Sequence, residues 1–268
     1  MSKEQVITII VIIYIIIHSI FIEPNSIQVT KYEIEDSSLS GVKLVFFTDL
    51  HISRNEYKRL DKVVKLINEQ KPDFVISGGD YAPSKNYKEM MDANTMAQKI
   101  SLIDAPVYSV LGEYDWYADG RDIARNLQKN GIKVLENNSI KAPAKRKYIS
   151  IVGYADATER TIKAAKAARG TTKPRILVTH NPDVYYNVIE DYNLILAGHT
   201  HGGQIIIPFT PPLFSSSKYK FNKGVIKPGQ NTMIVSKGLG TTGIKARFNC
   251  KPEIVVVTFV KNSSKFKN

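Results

Sequence analysis

Five short apolar runs in this chain each stop at an acid or a histidine, and that arrangement limits the fold more than any other feature. LVFF (44–47) leads to Asp49 and His51, FVIS (74–77) to Asp80, and VYSVL (107–111) to Glu113 and Asp115. ILVT (176–179) is followed by His180, and LILA (194–197) by GHTHGGQ, which carries His199 and His201. Unbroken apolar runs of this length read as strands covered on both faces. Helical patterns lie between them: 57–69, with Leu60, Val63, Val64 and Ile67 on one face, and others near 86–101, 121–130 and 159–168. Strands alternating with helices predict an α/β fold with largely parallel pairing. Residues 27–34 alternate as a half-exposed strand before a loop at 37–41. From Gln204 onward, IIIP, TMIVS and EIVVVTF predict a closing β-rich region, a second sheet packed on the first.

The chain has 268 residues, enough for one globular unit plus an appendage. Cys250 is the single cysteine, so no internal disulfide framework exists. The net charge of +12 suits anionic lipid or a phosphorylated substrate, but the lysines are spread from end to end. Without a dense basic run, nucleic acid is not an expected partner.

Gln5–Ile22 contains no Asp, Glu, Lys or Arg. That length falls near the ~17–25 residues that cross a bilayer as helix. HSIFIEPNS offers no small-x-small cleavage site, which favours an uncleaved anchor over a signal peptide. Lys3 ahead of the stretch biases the N-terminus toward the cytoplasm. The expected organisation is an anchor at 1–24, a linker and first strand at 25–42, one domain at 43–262 and a flexible tail at 263–268.

A lone acid after a strand is ordinarily a turn or helix cap. The histidines argue against that reading here. Of five, His18 lies in the apolar stretch and the other four sit at strand ends. Ligands of open α/β sheets bind beyond the carboxyl ends of the strands, so these side chains are placed to converge. Imidazole mixed with carboxylate suits divalent Mn, Fe or Zn, and about seven candidate ligands suit two ions sharing a carboxylate.

The ordered motifs D49-L-H51, G79-D80, G112-E-Y-D115, H180 and G198-H-T-H201 resemble those of the calcineurin-like metallophosphoesterases. GHTHGGQ together with SKGLGTTGIKARFNCKPEI (236–254) is similar to the bacterial, membrane-associated phosphodiesterase branch. The resemblance implies a sandwich of two mixed β-sheets flanked by helices. It also implies two divalent metal ions, with Asp49, His51 and His201 on one, Asp80 bridging, and His180, His199 and residue 113 on the other. A shared water activated by both ions would attack phosphorus. The implied location is the bacterial inner membrane, on a single-pass N-terminal anchor. The implied substrate carries phosphate and is lipid-linked, such as a phospholipid or UDP-diacylglucosamine.

Two positions depart from the family pattern. Glu113 stands where the family has Asn; as a ligand its carboxylate would cancel the net positive charge of the two ions, so the site binds anions less well, holds a more highly charged ion, or turns Glu113 away from the metal. Tyr114 stands where the family has a histidine that protonates the leaving oxygen, and Asp115 is that histidine's partner. A phenol donates a proton but recycles it poorly near neutrality. Pyrophosphohydrolases of the lipid A pathway, in the same superfamily, carry Arg in that slot. The departures leave two readings: a substrate whose leaving group needs no proton, such as a diphosphate, or a silent metal-binding membrane protein. In the first, Tyr114 and Asp115 are the catalytic candidates, with Asp115 orienting Tyr114 or a water. Arg54 and Arg247 are candidate phosphate contacts, against the plainer reading of solvated surface arginines.

Overall fold

Each apolar run forms a strand whose alternate side chains enter two different cores. The computed structural model describes residues 1–262 apart from 146, 189, 213–215 and 228; the tail expected at 263–268 lies outside the described residues. The first sheet runs β1 (Gln28–Glu35), β12 (Glu253–Val260), β2 (Lys43–Phe47), β3 (Phe74–Ser77), β4 (Val107–Ser109), β5 (Lys133–Val134). All its pairings are parallel except β12 with β2. The second runs β10 (Gly224–Ile226), β11 (Met233–Val235), β9 (Leu194–Ala197), β8 (Arg175–Val178), β7 (Lys147–Gly153), β6 (Asn138–Ala144). Its interior is parallel and its two edge pairings are antiparallel.

Between the sheets, Phe46, Ile76 and Val257 pack with Ile151, Ile176 and Leu194. The opposite face of the first sheet, Val45, Phe47 and Val75, is covered by α2 (Tyr57–Glu69), α3 (Ala93–Ile100) and α5 (Gly120–Lys129). Leu177, Ile195 and Val235 on the outer face of the second sheet meet Ala167 of the short α6 (Ala164–Ala167) and Val184. Each such side chain contributes about 1.5–3 kcal/mol on burial. The fold is thus a sandwich of two mixed sheets with flanking helices.

Several sequence expectations shift. EIVVVTF becomes β12, which returns to the first sheet between β1 and β2 instead of closing the second. The second sheet begins earlier, at a hairpin of β6 and β7 that the hydropathy pattern hides. In β6 the inward positions near the turn are only Ala142 and Ala144, and lysine flanks them. IIIP forms no strand; Ile205 makes one isolated bridge to Phe248. The helical pattern at 86–101 is a single turn (Tyr87–Glu89) and then α3, whose start is capped by Asp92 accepting from the Thr95 amide at 2.8 Å. The pattern at 159–168 shrinks to α6.

At the N-terminus α1 (Lys3–Ile17) continues through a π turn (His18–Ile22) and a 3-10 turn (Glu23–Asn25). Together they make one apolar helix of 23 residues, long enough to cross a membrane and almost wholly exposed. Its far end is docked on the sandwich. The buried Glu23 carboxylate accepts from the amides of Asn249 (3.1 Å) and Cys250 (2.5 Å), and the Arg247 amide donates to the Ser19 carbonyl (2.8 Å).

Candidate metal centre

The loops beyond β2, β3, β8 and β9, with α4 (Glu113–Ala118) after β4, gather the predicted side chains at one end of the sandwich. They do so through unusual backbone. Asp49 (φ 53), His51 (φ 42), Asp80 (φ 55), His199 (φ 71) and His201 (φ 51) all adopt left-handed conformations that cost a non-glycine residue about 1 kcal/mol or more. Such clustering is paid for by the surrounding contacts, and the side chains project where ordinary turns would not aim them.

Two groups of ligand atoms lie within 4.8 Å of one another: Asp49, His51 and His201, and Asp49, Asp80 and His180. His51 Nε2 and His201 Nε2 are 3.2 Å apart. Asp80 Oδ2 is 3.5 Å from His51 Nε2 and 3.3 Å from His180 Nε2, so that oxygen faces both sides of the centre. Its other oxygen accepts from the Tyr114 amide at 2.9 Å. Asp49 belongs to both groups and accepts from the His199 amide (3.0 Å). His199 packs edge-on against His180 at 5.1 Å between ring centroids, and Glu113 is half-buried beside Asp80; both line the cleft outside the two groups.

The donor set fits divalent cations. His180 donates Nδ1–H to the Gly78 carbonyl (2.9 Å), which turns its buried Nε2 toward Asp80, and the Asp80 charge, against burial, raises the imidazole well above its usual range. His51 donates Nδ1–H to the Ala82 carbonyl (2.8 Å) in the same way. Such outer contacts are what orient a metal-binding imidazole. Burial, then the charge of His180, holds His199 down to about 4. Burial and His51 push His201 well below its usual range. Burial and the charge of Asp80 raise Glu113, and burial raises Asp49. For Asp80 itself burial works upward, but the charges of His180 and His51 outweigh it and bring the carboxyl down to about 2. Crowded, buried carboxylates are stabilised by bound positive charge.

Asp115 does not contact the Tyr114 hydroxyl. It is buried and accepts from the amides of Asp80 (2.9 Å), Tyr81 (2.7 Å), Ala82 (3.0 Å) and Gly112 (3.0 Å), so it shapes the loop that carries Asp80. Burial and Asp80 push it up to about 7, against those four donors. The Tyr114 oxygen instead accepts from Thr242 (2.9 Å), and both residues line the cleft. Gln204, the last residue of GHTHGGQ, holds that threonine's loop by accepting from the Thr242 amide (2.9 Å) and donating to the Thr242 (3.1 Å) and Ile244 (2.7 Å) carbonyls.

Arg247 is neither a phosphate contact nor a surface residue. It is fully buried behind His201, its guanidinium spent on the carbonyls of Gly240, Lys237 and Cys250 at 2.7–3.0 Å. Arg54 is exposed and its amide bonds to the Glu89 carbonyl. Sequence reasoning passed over Asp156, a buried acid beyond β7 whose Oδ1 has no partner among the described residues and whose charge acts on Glu113. Its signal was the same strand-end position, hidden with the strand.

Glycine at 112 is required by space. A Cβ there would lie 2.2 Å from Asp80 Oδ1 and 2.7 Å from His180 Nδ1. Gly112→Ala is therefore expected to displace both ligands and cost about a hundredfold in kcat/KM, since shifts near 1 Å carry that penalty. Metal titration and steady-state kinetics check it; unchanged metal affinity would show that the loop gives way.

The cleft has a volume of about 520 Å³ and is lined by Asp80, Glu113, Tyr114, His199 and His201. Residues 42–203 match the sequence pattern of the calcineurin-like phosphoesterases. Over 89% of its length the chain is 29% identical to "Uncharacterized metallophosphoesterase YkuE" of Bacillus subtilis (strain 168), covering 87% of that protein. It is 27% identical over 90% of its length to "Phosphodiesterase YaeI" of Escherichia coli (strain K12), covering 91%. It is also 29% identical over 81% of its length to a Danio rerio "Transmembrane protein with metallophosphoesterase domain", of which it spans 53%. The chain belongs to the calcineurin-like phosphoesterase family, and it is a metal-dependent phosphoester hydrolase.

Proposed function

We propose that the protein is a membrane-anchored hydrolase of lipid-linked phosphodiesters or diphosphates that uses two divalent ions, Mn, Fe or Zn. The observation that carries this reading is the docking of the apolar N-terminal helix through Glu23 onto the same segment, 247–250, that packs behind His201. Residues 1–24 serve as the anchor at the bacterial inner membrane, and 43–262 as the catalytic domain.

Asp49, His51 and His201 would hold one ion, and His180, His199 and Glu113 the second, with Asp80 facing both. When bound, the ions supply a nucleophilic water at neutral pH and positive charge for the phosphoryl oxygens. Asp80 and Asp49 fix the centre from below, each restrained by a backbone amide. Tyr114 lines the cleft with its hydroxyl held by Thr242, where it can hydrogen-bond the leaving group. Glu113 lowers the attraction for anionic substrate. A phenol and a diminished positive charge both suit a diphosphate, whose leaving phosphate departs without a proton.

The test uses full-length protein in detergent, stripped by chelator and reloaded with Mn²⁺, Fe²⁺ or Zn²⁺. Substrates are a chromogenic diester, a monoester, a phospholipid and UDP-diacylglucosamine in mixed micelles. Chelation should abolish turnover and one metal restore it, with higher kcat/KM for a lipid-linked substrate than for its water-soluble counterpart. Glu113→Asn should raise metal-dependent turnover of the diester. Preference for the soluble compounds would overturn the lipid assignment.

A further inference from the structure

The length of the N-terminal helix available to a bilayer is shorter than its sequence suggests. Gln5 to Ser19 rises about 21 Å at 1.5 Å per residue, below the ~30 Å of a hydrocarbon core. At Ser19 the helix already meets the domain, through the Arg247 amide. Yet Ile20, Phe21 and Ile22, level with that junction, remain 40%, 65% and 46% exposed. A span completed by these three residues brings the domain surface around them down to the lipid.

That surface is apolar and rimmed with cations. Pro208 shares a groove with His18 and Glu23, and on either side of it Ile207 is half-exposed and Phe209 wholly so. Phe209 is held out at φ 66, in the left-handed region. On another side of the helix base, Gly240, Thr241 and Lys245 share a groove with Ile20 and Pro24, and Ile244 next to them is half-exposed. Lys223, Lys245 and Lys251 line these two grooves and are exposed. Ile244 also lines the catalytic cleft.

We infer that the loops 205–210 and 240–245 rest on an anionic bilayer beside the helix, with Ile207, Phe209 and Ile244 in the headgroup layer and the cleft opening there. The inference rests on the proposed anchoring. Apolar side chains gain by leaving water at that depth, and lysines near the surface are attracted by anionic lipid. The Glu23 contacts keep the domain from swinging away, so the position is a property of the fold.

The experiment places a bimane label, through cysteines introduced one at a time with Cys250 replaced by alanine, on full-length protein in nanodiscs of phosphatidylcholine with or without phosphatidylglycerol. Phe209→Cys and Ile244→Cys report the loops, Tyr148→Cys at the far end of β7 is the remote control, and Ile12→Cys reports the helix. Headgroup spin-labelled lipid should quench 209 and 244, more so with phosphatidylglycerol, and leave 148 bright. Equal quenching at 209, 244 and 148 while Ile12→Cys is quenched by acyl-chain spin label overturns the inference alone. Absence of quenching at Ile12→Cys overturns the anchoring itself. An emission shift at 209 that follows protein concentration in detergent, without lipid quenching, assigns the surface to a second copy and also overturns the inference.

Discussion

Asp80→Asn is expected to lower kcat/KM by about three orders of magnitude, or roughly 4 kcal/mol of transition-state stabilisation. The side chain keeps its shape, so the bond from the Tyr114 amide survives. What changes is the oxygen between His51 and His180, at 3.5 and 3.3 Å, which is replaced by an uncharged amide nitrogen that donates hydrogen and offers a cation no ligand. Asp49 and Asp115, both raised in part by Asp80, should ionise more readily in the variant. The fold should persist, because the substitution removes one of several crowded carboxylates. Metal analysis should show the loss of one ion at least, and circular dichroism an unchanged fold. A variant retaining full metal content and more than a tenth of the activity would remove Asp80 from the centre of the mechanism.

Replacing Arg247 should produce the largest loss of stability. Its guanidinium is fully buried and satisfies carbonyls of Gly240, Lys237 and Cys250, with burial lowering its pKa to about 10, so it stays charged at neutrality. Methionine would fill much of the volume but strand those acceptors, at roughly 1–3 kcal/mol for each buried group left unpaired. Lysine keeps the charge and lacks the fork. Both Arg247→Met and Arg247→Lys are expected to cost at least about 3 kcal/mol, a fall in melting temperature near 10 °C for a domain of this size. Because His201 lies against the same guanidinium, metal affinity should weaken together with stability. Thermal denaturation in detergent with and without Mn²⁺ measures both, and a lysine variant melting with the wild type would show that the fork is dispensable.

The contrast between these two residues explains what could be read in advance. Asp80 was legible because chemistry and position coincide: an acid closing the apolar run FVIS, in company with histidines closing others. The helix at 57–69 and the strands at 74–77 and 194–197 follow their apolar patterns to the residue. Arg247 was not legible, since nothing local distinguishes an arginine spent on distant carbonyls from one in water. Asp115 misled for a related reason: its neighbour in sequence is Tyr114, but its partners are amides of another loop. The β6–β7 hairpin escaped notice because alanine and lysine carry its alternation, and Asp156 was lost with it. The return of β12 to the first sheet is a choice among edges that periodicity cannot express.

That return has a consequence for biogenesis. β1 leaves the ribosome directly behind the hydrophobic helix, yet its hydrogen-bonding partner β12 follows all the other described strands. The helix is complete early, while β1 waits as an open edge until β12 emerges. β1 and β12, far apart in the chain, therefore lock each other, and a nascent chain cut short before residue 253 has no means of sealing that margin.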